Sequence, residues 1–231
     1  MNIIAYHAYL FGDHYIDIMV DQFRKILSSR LYENIDKIYI GIVDSGTGKP
    51  MNGVEWIRYF WGFSKSKVEI VLYSGNKDET ETMQWIKNYS ANNPGNNILY
   101  FHTKGITHYT QPTEDWRRYM EYFVVENWTD CVQKLNEGFD CCGVMWNTET
   151  IWGNYPHFSG TMWWAKTDYI NTLNPEYLIN DWRLLREFWI GSNPNVKAFE
   201  FHNSRMNDMK ALQESRSHYS LPYSRENYEK H

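Results

Sequence analysis

A short apolar run that ends abruptly in polar residues constrains the fold of this chain more than any other feature. Residues Ile98–Phe101 are apolar, and His102-Thr-Lys-Gly105 follow them directly. A buried strand of a parallel sheet has this pattern, because both of its faces are covered by other elements. In open α/β sheets, ligands bind outside the carboxyl ends of the strands. The sequence therefore predicts an α/β sheet that presents a histidine, a hydroxyl and a lysine to a ligand.

The rest of the chain alternates between apolar runs and amphipathic stretches. This alternation is typical of right-handed βαβ units, which build a mostly parallel central sheet flanked by helices. We expect strands at Ile3–Tyr6, Lys37–Val43, Val68–Tyr73, Ile98–Phe101, Asp140–Trp146, Thr161–Ala165 and Val196–Phe201, and helices at Tyr15–Ser29, Gly53–Trp61, Glu79–Tyr89, Glu114–Leu135 and Trp182–Ile190. One domain is expected over residues 1–203, followed by a polar tail over 204–231 that packs on the domain or frays.

Composition argues against several classes of protein. The chain has 231 residues, a formal net charge of −5 and no basic run, which argues against nucleic acid as the main partner. Its three cysteines, Cys131, Cys141 and Cys142, give neither a disulfide framework nor zinc spacing, so we expect reduced thiols and a cytoplasmic location. No apolar run approaches the roughly 20 residues of a membrane span, and the N-terminus lacks a signal-peptide pattern.

The rule for ligand position selects four strand ends, which we expect to line one rim. Asp44 can accept hydrogen bonds from a ribose or a base, or it can simply stabilise a turn before Ser-Gly. Asn76 and Lys77 are candidates for nucleotide contact, because helix capping accounts for Asp78 and Glu79 but not for them. The selected ends are Tyr6-His7, Asp44-Ser-Gly46, Gly75-Asn-Lys77 and His102-Thr-Lys-Gly105.

The fourth of these ends carries the strongest signal. Lys104 can neutralise a diphosphate as a point charge, and Gly105 allows a turn with positive φ. His102 can donate to a phosphate or bind a metal ion. The plain alternative is a solvated lysine beside a loop histidine. The pattern favours a protein cation, rather than a metal held by carboxylates, as the charge partner of a phosphorylated ligand.

Two predicted helices add charged candidates. Arg117 or Arg118, near the start of the long helix, can contact a phosphate or remain an ordinary surface residue. Arg183 and Glu187 are four residues apart and share a helix face, where they can form a solvated pair. The sharper hypothesis is a general base, Glu187 or Asp181, assisted by Arg183. Glu187 is favoured because capping of the helix already accounts for Asp181.

The stretch Pro156–Ala165 has the residue types that bind sugars. Ser159-Gly160 offers a bare, hydrogen-bonding backbone, and His157 adds a polar ring. Trp163 and Trp164 offer flat faces for stacking, although the high aromatic content of the chain, 17%, also suits a core rich in rings. Alternate residues of a strand face opposite sides, so one tryptophan is expected to face a pocket and the other the core.

Taken together, two motifs resemble those of small glycosyltransferase-like proteins of bacteria and large DNA viruses. The matching residues are Tyr100-Phe-His-Thr-Lys-Gly105, Trp116-Arg117 and His157-Phe-Ser-Gly-Thr-Met-Trp-Trp164, extended by Glu79, Thr82, Arg183 and Glu187-Phe-Trp189, within about Ile3 to Phe201. The resemblance implies a GT-A-type fold, in which a nucleotide-sugar binds on a Rossmann-like half-sheet.

It also implies a hexosyl- or deoxyhexosyltransferase that moves a sugar from a nucleotide-diphospho-sugar to a glycan or another hydroxyl acceptor. GT-A folds usually carry an Asp-x-Asp metal motif just after the fourth strand, where this chain has His102-Thr-Lys104. We therefore expect that no cofactor is required. The expected reaction is a direct, inverting displacement, in the cytoplasm, or in the host cytoplasm if the protein is viral. The alternatives are a metal-dependent transferase that uses His102 with Mn²⁺ or Mg²⁺, and a non-catalytic carbohydrate-binding module.

The resemblance and the strand-end rule together give an expected site without metal ligands. The catalytic candidates are Glu187, Asp181, Lys104 and Arg183. The nucleotide-sugar candidates are Tyr6, His7, Asp44, Asn76, Lys77, His102, Thr103, Lys104 and Arg117. The acceptor candidates are His157, Ser159, Gly160, Trp163 and Trp164.

Overall fold

A central sheet organises the protein, seen in a computed structural model that describes residues 1–46, 63–64, 66–75, 78–204 and 223–229. Within these residues the sheet has seven strands, which are β1 Asn2–Leu10, β2 Lys37–Asp44, β3 Val68–Ser74, β4 Asn97–His102, β5 Cys141–Gly143, β8 Trp163–Lys166 and β9 Ala198–Glu200; β6 Trp146–Asn147 and β7 His157–Phe158 form a separate hairpin. The order of the strands across the sheet is β3-β2-β1-β4-β8-β5-β9. Neighbours from β3 to β4 are parallel, β8 is antiparallel to both β4 and β5, and β9 is parallel to β5.

Helices flank this sheet, so the expected α/β architecture with a mostly parallel central sheet is confirmed. The helices are α1 His14–Ser28, α2 Leu31–Asn34, α3 Thr80–Asn92, α4 Gln111–Glu121, α5 Trp128–Asn136, α6 Thr167–Ile170, α7 Glu176–Ile179 and α8 Leu185–Phe188, with 3-10 turns at Trp189–Gly191 and Arg225–Asn227. The helix expected at Gly53–Trp61 lies outside the described residues. No helix among the described residues is both long and apolar enough to cross a membrane.

Each central strand buries both of its faces, which explains why the strands appear in the sequence as continuous apolar runs. In β4, Leu99 and Phe101 pack on one side of the sheet, whereas Ile98 and Tyr100 pack on the other. The first side is covered by residues of α1, α4 and α5, and the second by residues of α3 and α6. The sheet is therefore the middle layer of three, and its polar residues emerge at the strand ends.

Three predicted elements are shorter than their patterns indicate. The helix expected at Glu114–Leu135 is interrupted by a π-helical turn at Tyr122–Glu126, because the amide of Asn127 donates to the carbonyl of Tyr122, five residues earlier, at 3.0 Å. The strand expected at Asp140–Trp146 ends at Gly143, and Met145 has a φ of +56°. The helix expected at Trp182–Ile190 begins as α8 only at Leu185.

A close approach between α3 and β2 fixes one wall of the later site. A Cβ atom at Gly41 would lie 2.3 Å from Oγ1 of Thr82 in α3, so only glycine leaves room for this threonine. Oγ1 of Thr82 in turn lies 2.8 Å from Nδ1 of His7 in β1. The small residue in β2 thus brings α3 against the end of β1.

Part of the C-terminal segment packs on the described core. Tyr223 and Tyr228 are 7% and 8% exposed. Their rings lie 5.0 and 5.1 Å from the ring of Tyr119 in α4, measured between centroids. The guanidinium of Arg225 pairs with Glu126 at 2.8 Å. Residues 223–229 therefore contribute aromatic surface to the side of the sheet that α4 covers.

Candidate functional site

A cavity of about 310 Å³ opens at the carboxyl ends of β1 and β4. Four segments of the chain form its walls: the end of β1, the turn before α3, the end of β4 with its following loop, and the region of α8. The lining residues are His7, Tyr9, Asp78, Glu79, His102 to Thr107, Arg183, Arg186 and Glu187. The structure thus brings together His7, His102, Thr103, Lys104, Arg183 and Glu187, which the sequence had selected from separate segments.

The end of β4 is tied firmly to β1. The backbone N–H of Thr103 donates to the carbonyl of His7 at 3.1 Å, and Oγ1 of Thr103 accepts from the N–H of Tyr9 at 2.9 Å. Gly105 then turns the chain with a φ of +86°, and a Cβ atom there would lie 2.6 Å from the Thr113 methyl group. Only glycine suits this position, and the turn sets the direction in which Lys104 leaves the sheet.

Lys104 is a half-buried cation on the cavity wall. Its Nζ lies 4.4 Å from the centroid of the Trp116 ring, within cation–π distance. Its charge also acts on Glu79, whose carboxylate it helps to stabilise. A cation held in this way is positioned to interact with an anionic ligand in the cavity.

Two histidines and a carboxylate form the floor of the cavity. His7 and His102 are paired residues on adjacent parallel strands, and both are at least 95% buried. Burial lowers the pKa of His7 to about 4, although Glu79 opposes this shift, so His7 is neutral near pH 7. Burial also opposes ionisation of Glu79, but the charges of His102, His7 and Lys104 outweigh it and lower the pKa of Glu79 to about 2. Oε1 of Glu79 lies 2.8 Å from Nδ1 of His102.

The region of α8 supplies the opposite wall. Arg186 is 8% exposed; its Nε donates to Oγ1 of Thr80 at 2.7 Å, and its Nη1 donates to the carbonyls of Asn180 and Trp182. It therefore fastens α8 to the start of α3. Arg183 is exposed and Glu187 half-buried, and both line the cavity. This wall combines one structural arginine with one exposed to solvent.

Arg117 does not belong to this site, which corrects its expected role in phosphate binding. It is 1% exposed, and its Nη1 donates to Asp21 at 2.8 Å and to both oxygens of Glu121 at 2.9 Å. Burial opposes its charge, but these carboxylates raise the pKa of Arg117. Lys25 also pairs with Glu121. The buried Arg117 completes a charge cluster between α1 and α4, so it cannot reach a ligand.

Tyr6 is also wrongly assigned to the rim, because β1 continues for four residues beyond it. Its ring is fully buried, and its hydroxyl donates to Oε1 of Gln22 at 2.6 Å. Nε2 of Gln22 donates to the carbonyl of His102 at 2.8 Å and to Glu121 at 2.7 Å. Tyr6 therefore supports the end of β4 from inside the core.

Asp44 lies at the same edge of the sheet but outside the cavity lining. Its carboxylate accepts from the hydroxyl of Tyr73 at 2.5 Å and from the N–H of Gly46 at 2.8 Å. The hydrogen bond from Tyr73 contributes most to lowering the pKa of Asp44. The turn interpretation accounts for these contacts. Asn76 and Lys77 lie outside the described residues.

The expected acceptor residues do not line the cavity, and the expectation that one tryptophan faces a pocket is wrong. Trp163 and Trp164 are 1% and 0% exposed, one on each side of the sheet. The indole N–H of Trp164 donates to the carbonyl of Val124 at 2.8 Å. Both alternating positions of β8 are covered, because helices pack on both faces of the sheet. The two rings therefore belong to the core.

The other three acceptor candidates, His157, Ser159 and Gly160, are buried as well. Nδ1 of His157 lies 2.8 Å from the carbonyl of Tyr155, and Oγ of Ser159 accepts from Nδ2 of Asn147 at 2.5 Å. A Cβ atom at Gly160 would lie 2.4 Å from the sulfur of Met120. These contacts are internal to the protein and leave none of the three residues in the cavity lining.

Asp181 is exposed and does not line the cavity. It also does not cap α8, because that helix begins four residues later. The side chain of Asn180 instead accepts from the N–H of Trp182 at 2.8 Å, which forms the turn at this point. Of the two candidate bases near α8, Glu187 alone reaches the cavity.

Sequence analysis missed Glu79 and Arg186 as site residues. Glu79 precedes a helix, where capping seemed a sufficient explanation, and Asp78 indeed accepts from the N–H of Thr80 at 3.0 Å. The signal for Glu79 was its presence in the family resemblance. The sequence pattern did not point to Arg186, because its hydrogen bond to Thr80 joins segments more than 100 residues apart.

The fold and the cavity define an α/β protein with a ligand-sized cleft at the carboxyl ends of its central parallel strands. The chain belongs to the family described as Domain of unknown function (DUF8361), whose model matches residues 6–181. No curated protein matches the chain.

Among solved structures, the chain is similar to the bifunctional IspDF from Campylobacter jejuni at 10% identity and a TM-score of 0.37. That match covers 85% of this chain and 48% of the other, so the chain spans about half the length of this structure.

Proposed function

We propose that this protein is a glycosyltransferase that moves a sugar from a nucleotide-diphospho-sugar to a hydroxyl acceptor, with inversion and without an Asp-x-Asp metal site. The observation that carries the proposal is the meeting of Lys104 and Arg183 in one cavity at the ends of β1 and β4. In open α/β sheets this is where nucleotides bind, and two cations there suit a diphosphate. The cavity is large enough for part of such a donor.

In this proposal the cations act mainly on the leaving group. As the bond between the sugar carbon and the diphosphate oxygen breaks, negative charge grows on the diphosphate. Lys104 and Arg183 stabilise that charge from fixed positions, which lowers the barrier more than it strengthens binding of the intact donor. The acceptor hydroxyl must lose a proton, and both Glu187 and His102 line the cavity as bases.

Whether the proposed transfer requires a metal ion can be decided by experiment. Among the residues that the structure describes, no three His, Cys, Asp or Glu side chains are grouped to bind a metal ion. Addition of EDTA and of Mn²⁺ tests this part of the proposal directly.

The first experiment measures thermal unfolding with UDP-, GDP-, dTDP- and CMP-sugars, each with Mn²⁺ and with EDTA. A donor at about 100 times its Kd stabilises the fold by roughly 2.7 kcal/mol, which raises Tm by roughly 5–10 °C for a chain of this size. We expect one nucleotide class to raise Tm in the presence of EDTA. An effect that requires Mn²⁺ would contradict the metal-free mechanism. No rise in Tm with any of these donors would favour a carbohydrate-binding module instead.

A second measurement links the effect to Lys104. Lys104→Ala should keep the Tm of the free protein within a few degrees, reduce the donor-induced rise and abolish transfer. Lys166→Ala is the matched control, because Lys166 ends β8 at the opposite edge of the sheet, beside Asn97. Full activity of Lys104→Ala would refute the assignment.

A further inference from the structure

The imidazole of His102 is a buried polar group whose partners are incomplete. Its side chain is 6% exposed and lines the cavity. Among the described residues, neither ring nitrogen makes an aligned hydrogen bond, although Oε1 of Glu79 lies 2.8 Å from Nδ1. Most buried polar groups in proteins are hydrogen-bonded. Nε2 therefore has hydrogen-bonding capacity that the described residues leave unused.

Glu79 occupies the position that orients the ring. A carboxylate next to Nδ1 stabilises the tautomer in which Nδ1 carries the proton, and this leaves the lone pair on Nε2. The low pKa of Glu79, about 2, keeps its carboxylate charged at all pH values at which the protein would work. The same negative charge stabilises the ring once Nε2 has accepted a proton.

The other groups around His102 do not compete for this role. His7 is neutral near pH 7, and its Nδ1 is 2.8 Å from Oγ1 of Thr82, so it does not repel a protonated neighbour. The ring of Tyr100 packs edge-on at 6.0 Å between centroids. The remaining titratable or charged groups that line the cavity are Tyr9, Asp78, Lys104, Arg183, Arg186 and Glu187.

We propose that His102, positioned by Glu79, is the general base that deprotonates the acceptor hydroxyl. This inference rests on the proposed glycosyl transfer and replaces Glu187 in that step. The hydroxyl proton passes to Nε2 of His102 while the acceptor oxygen bonds to the anomeric carbon of the sugar. The bond from that carbon to the diphosphate oxygen breaks, and the nucleoside diphosphate leaves with the electron pair, beside Lys104 and Arg183.

The chemistry of the two candidate bases supports this choice. A carboxylate oxygen of Glu79 lies 2.8 Å from Nδ1 of His102. An imidazole beside an orienting carboxylate is the arrangement that activates weak nucleophiles in acyl transfer. Glu79 is a positioning residue, because it acts through His102.

The first test needs no substrate. In protein labelled with ¹⁵N-histidine, NMR reports which ring nitrogen carries the proton, and loss of one signal in His102→Gln assigns the residue. We expect the neutral ring of His102 to carry its proton on Nδ1 in the wild type, to lose this preference in Glu79→Gln and to regain it in Glu79→Asp. A proton on Nε2 in the wild type would overturn the proposal.

The second test measures nucleotide release from the donor that raises Tm, with water and methyl glycosides as acceptors. We expect His102→Gln to lower kcat by about 10²–10⁴-fold and Glu79→Gln by at least about tenfold, with the donor-induced rise in Tm retained. His108→Gln is the control, because His108 is exposed in the same loop but does not line the cavity.

The outcomes separate the two proposals. Wild-type activity that survives in His102→Gln but is lost in Glu187→Gln would overturn the assignment of the base and leave glycosyl transfer standing. Absence of both binding and turnover with every donor would overturn the two together. A large loss in His102→Gln with retained donor binding would support both.

Discussion

Arg117 illustrates, at the scale of single residues, how a charged side chain can serve the fold rather than the ligand. It is buried among Asp21, Glu121 and Lys25, and Gln22 links this cluster to the carbonyl of His102. Removing one member of a buried ion pair is costly, because the partner is left buried without compensation. The cluster therefore supports the end of β4 at a distance from the cavity.

Replacement of Arg117 tests this structural role. We expect Arg117→Met to lower the free energy of unfolding by about 3 kcal/mol, since Glu121 would keep only Lys25 as a cationic partner. Arg118→Met is the control, because the side chain of Arg118 is 46% exposed and its surface pair with Glu114 should contribute less than about 1 kcal/mol. Urea unfolding measures both. Equal stability of the two variants, with donor binding lost only in Arg117→Met, would restore the ligand role.

At the scale of elements, the site depends on how closely α3 approaches the sheet. Gly41 in β2 leaves space for Thr82, and Thr82 contacts His7. The same helix begins just after Glu79, and Arg186 fastens it to α8 through Thr80. The position of α3 therefore determines the spacing of the two histidines from the opposite wall.

A double-mutant cycle can measure this approach. We expect Gly41→Ala to destabilise the protein by about 1–3 kcal/mol, because the new methyl group would overlap Oγ1 of Thr82. Thr82→Ala removes that overlap, so the double variant should be more stable than the sum of the single changes predicts. Gly75→Ala should be nearly neutral, since none of the residues that the structure describes lies within 4 Å of its Cβ position. Simple additivity of Gly41→Ala and Thr82→Ala would refute the contact.

For the whole molecule, buried titratable groups connect the site to stability in acid. His7 has a folded pKa of about 4 against an ordinary value of 6.5, so the unfolded chain binds more protons between these values. Its contribution is present above pH 6.5 and is lost as pH falls towards 4. Glu79, with a folded pKa of about 2 against 4.5, contributes stability that is lost between pH 4.5 and 2.

The stability of the protein should therefore fall on mild acidification. We expect about 2 kcal/mol to be lost between pH 7 and 5 through His7 alone, measured by urea unfolding at each pH. His7→Gln should remove most of this dependence, whereas His108→Gln should retain it. A wild-type stability that does not change between pH 7 and 5 would contradict the buried, neutral state of His7.

The sequence predicted the parallel half of the sheet well, because its strands are buried on both faces and have uninterrupted apolar runs. It also selected the ends of β1 and β4, where polar residues follow such runs directly. The errors share a different cause. Tyr6, Arg117 and Trp164 carry polar atoms whose partners lie on distant segments, so their hydrogen bonds inside the core could not be inferred from local pattern.

Shorter elements were predicted less well, again for a physical reason. The π-helical turn at Tyr122–Glu126 keeps the apolar period of a continuous helix, and the break depends on one hydrogen bond from Asn127. The shortness of α8 likewise depends on a turn made by Asn180. The sequence suggested Glu187 or Asp181 as the base, whereas the carboxylate of Glu79 beside His102 becomes visible only when α3 and β4 are brought together.

The antiparallel direction of β8 has a consequence for how proteins of this family can diversify. Since β8 runs opposite to β4 and β5, the connection from β5 to β8, residues 144–162, both leaves and re-enters the sheet at the edge that holds the cavity. Insertions in this one connection would add surface at that edge of the sheet while leaving the strand pairing intact. Comparative sequencing of relatives should therefore find length variation concentrated here.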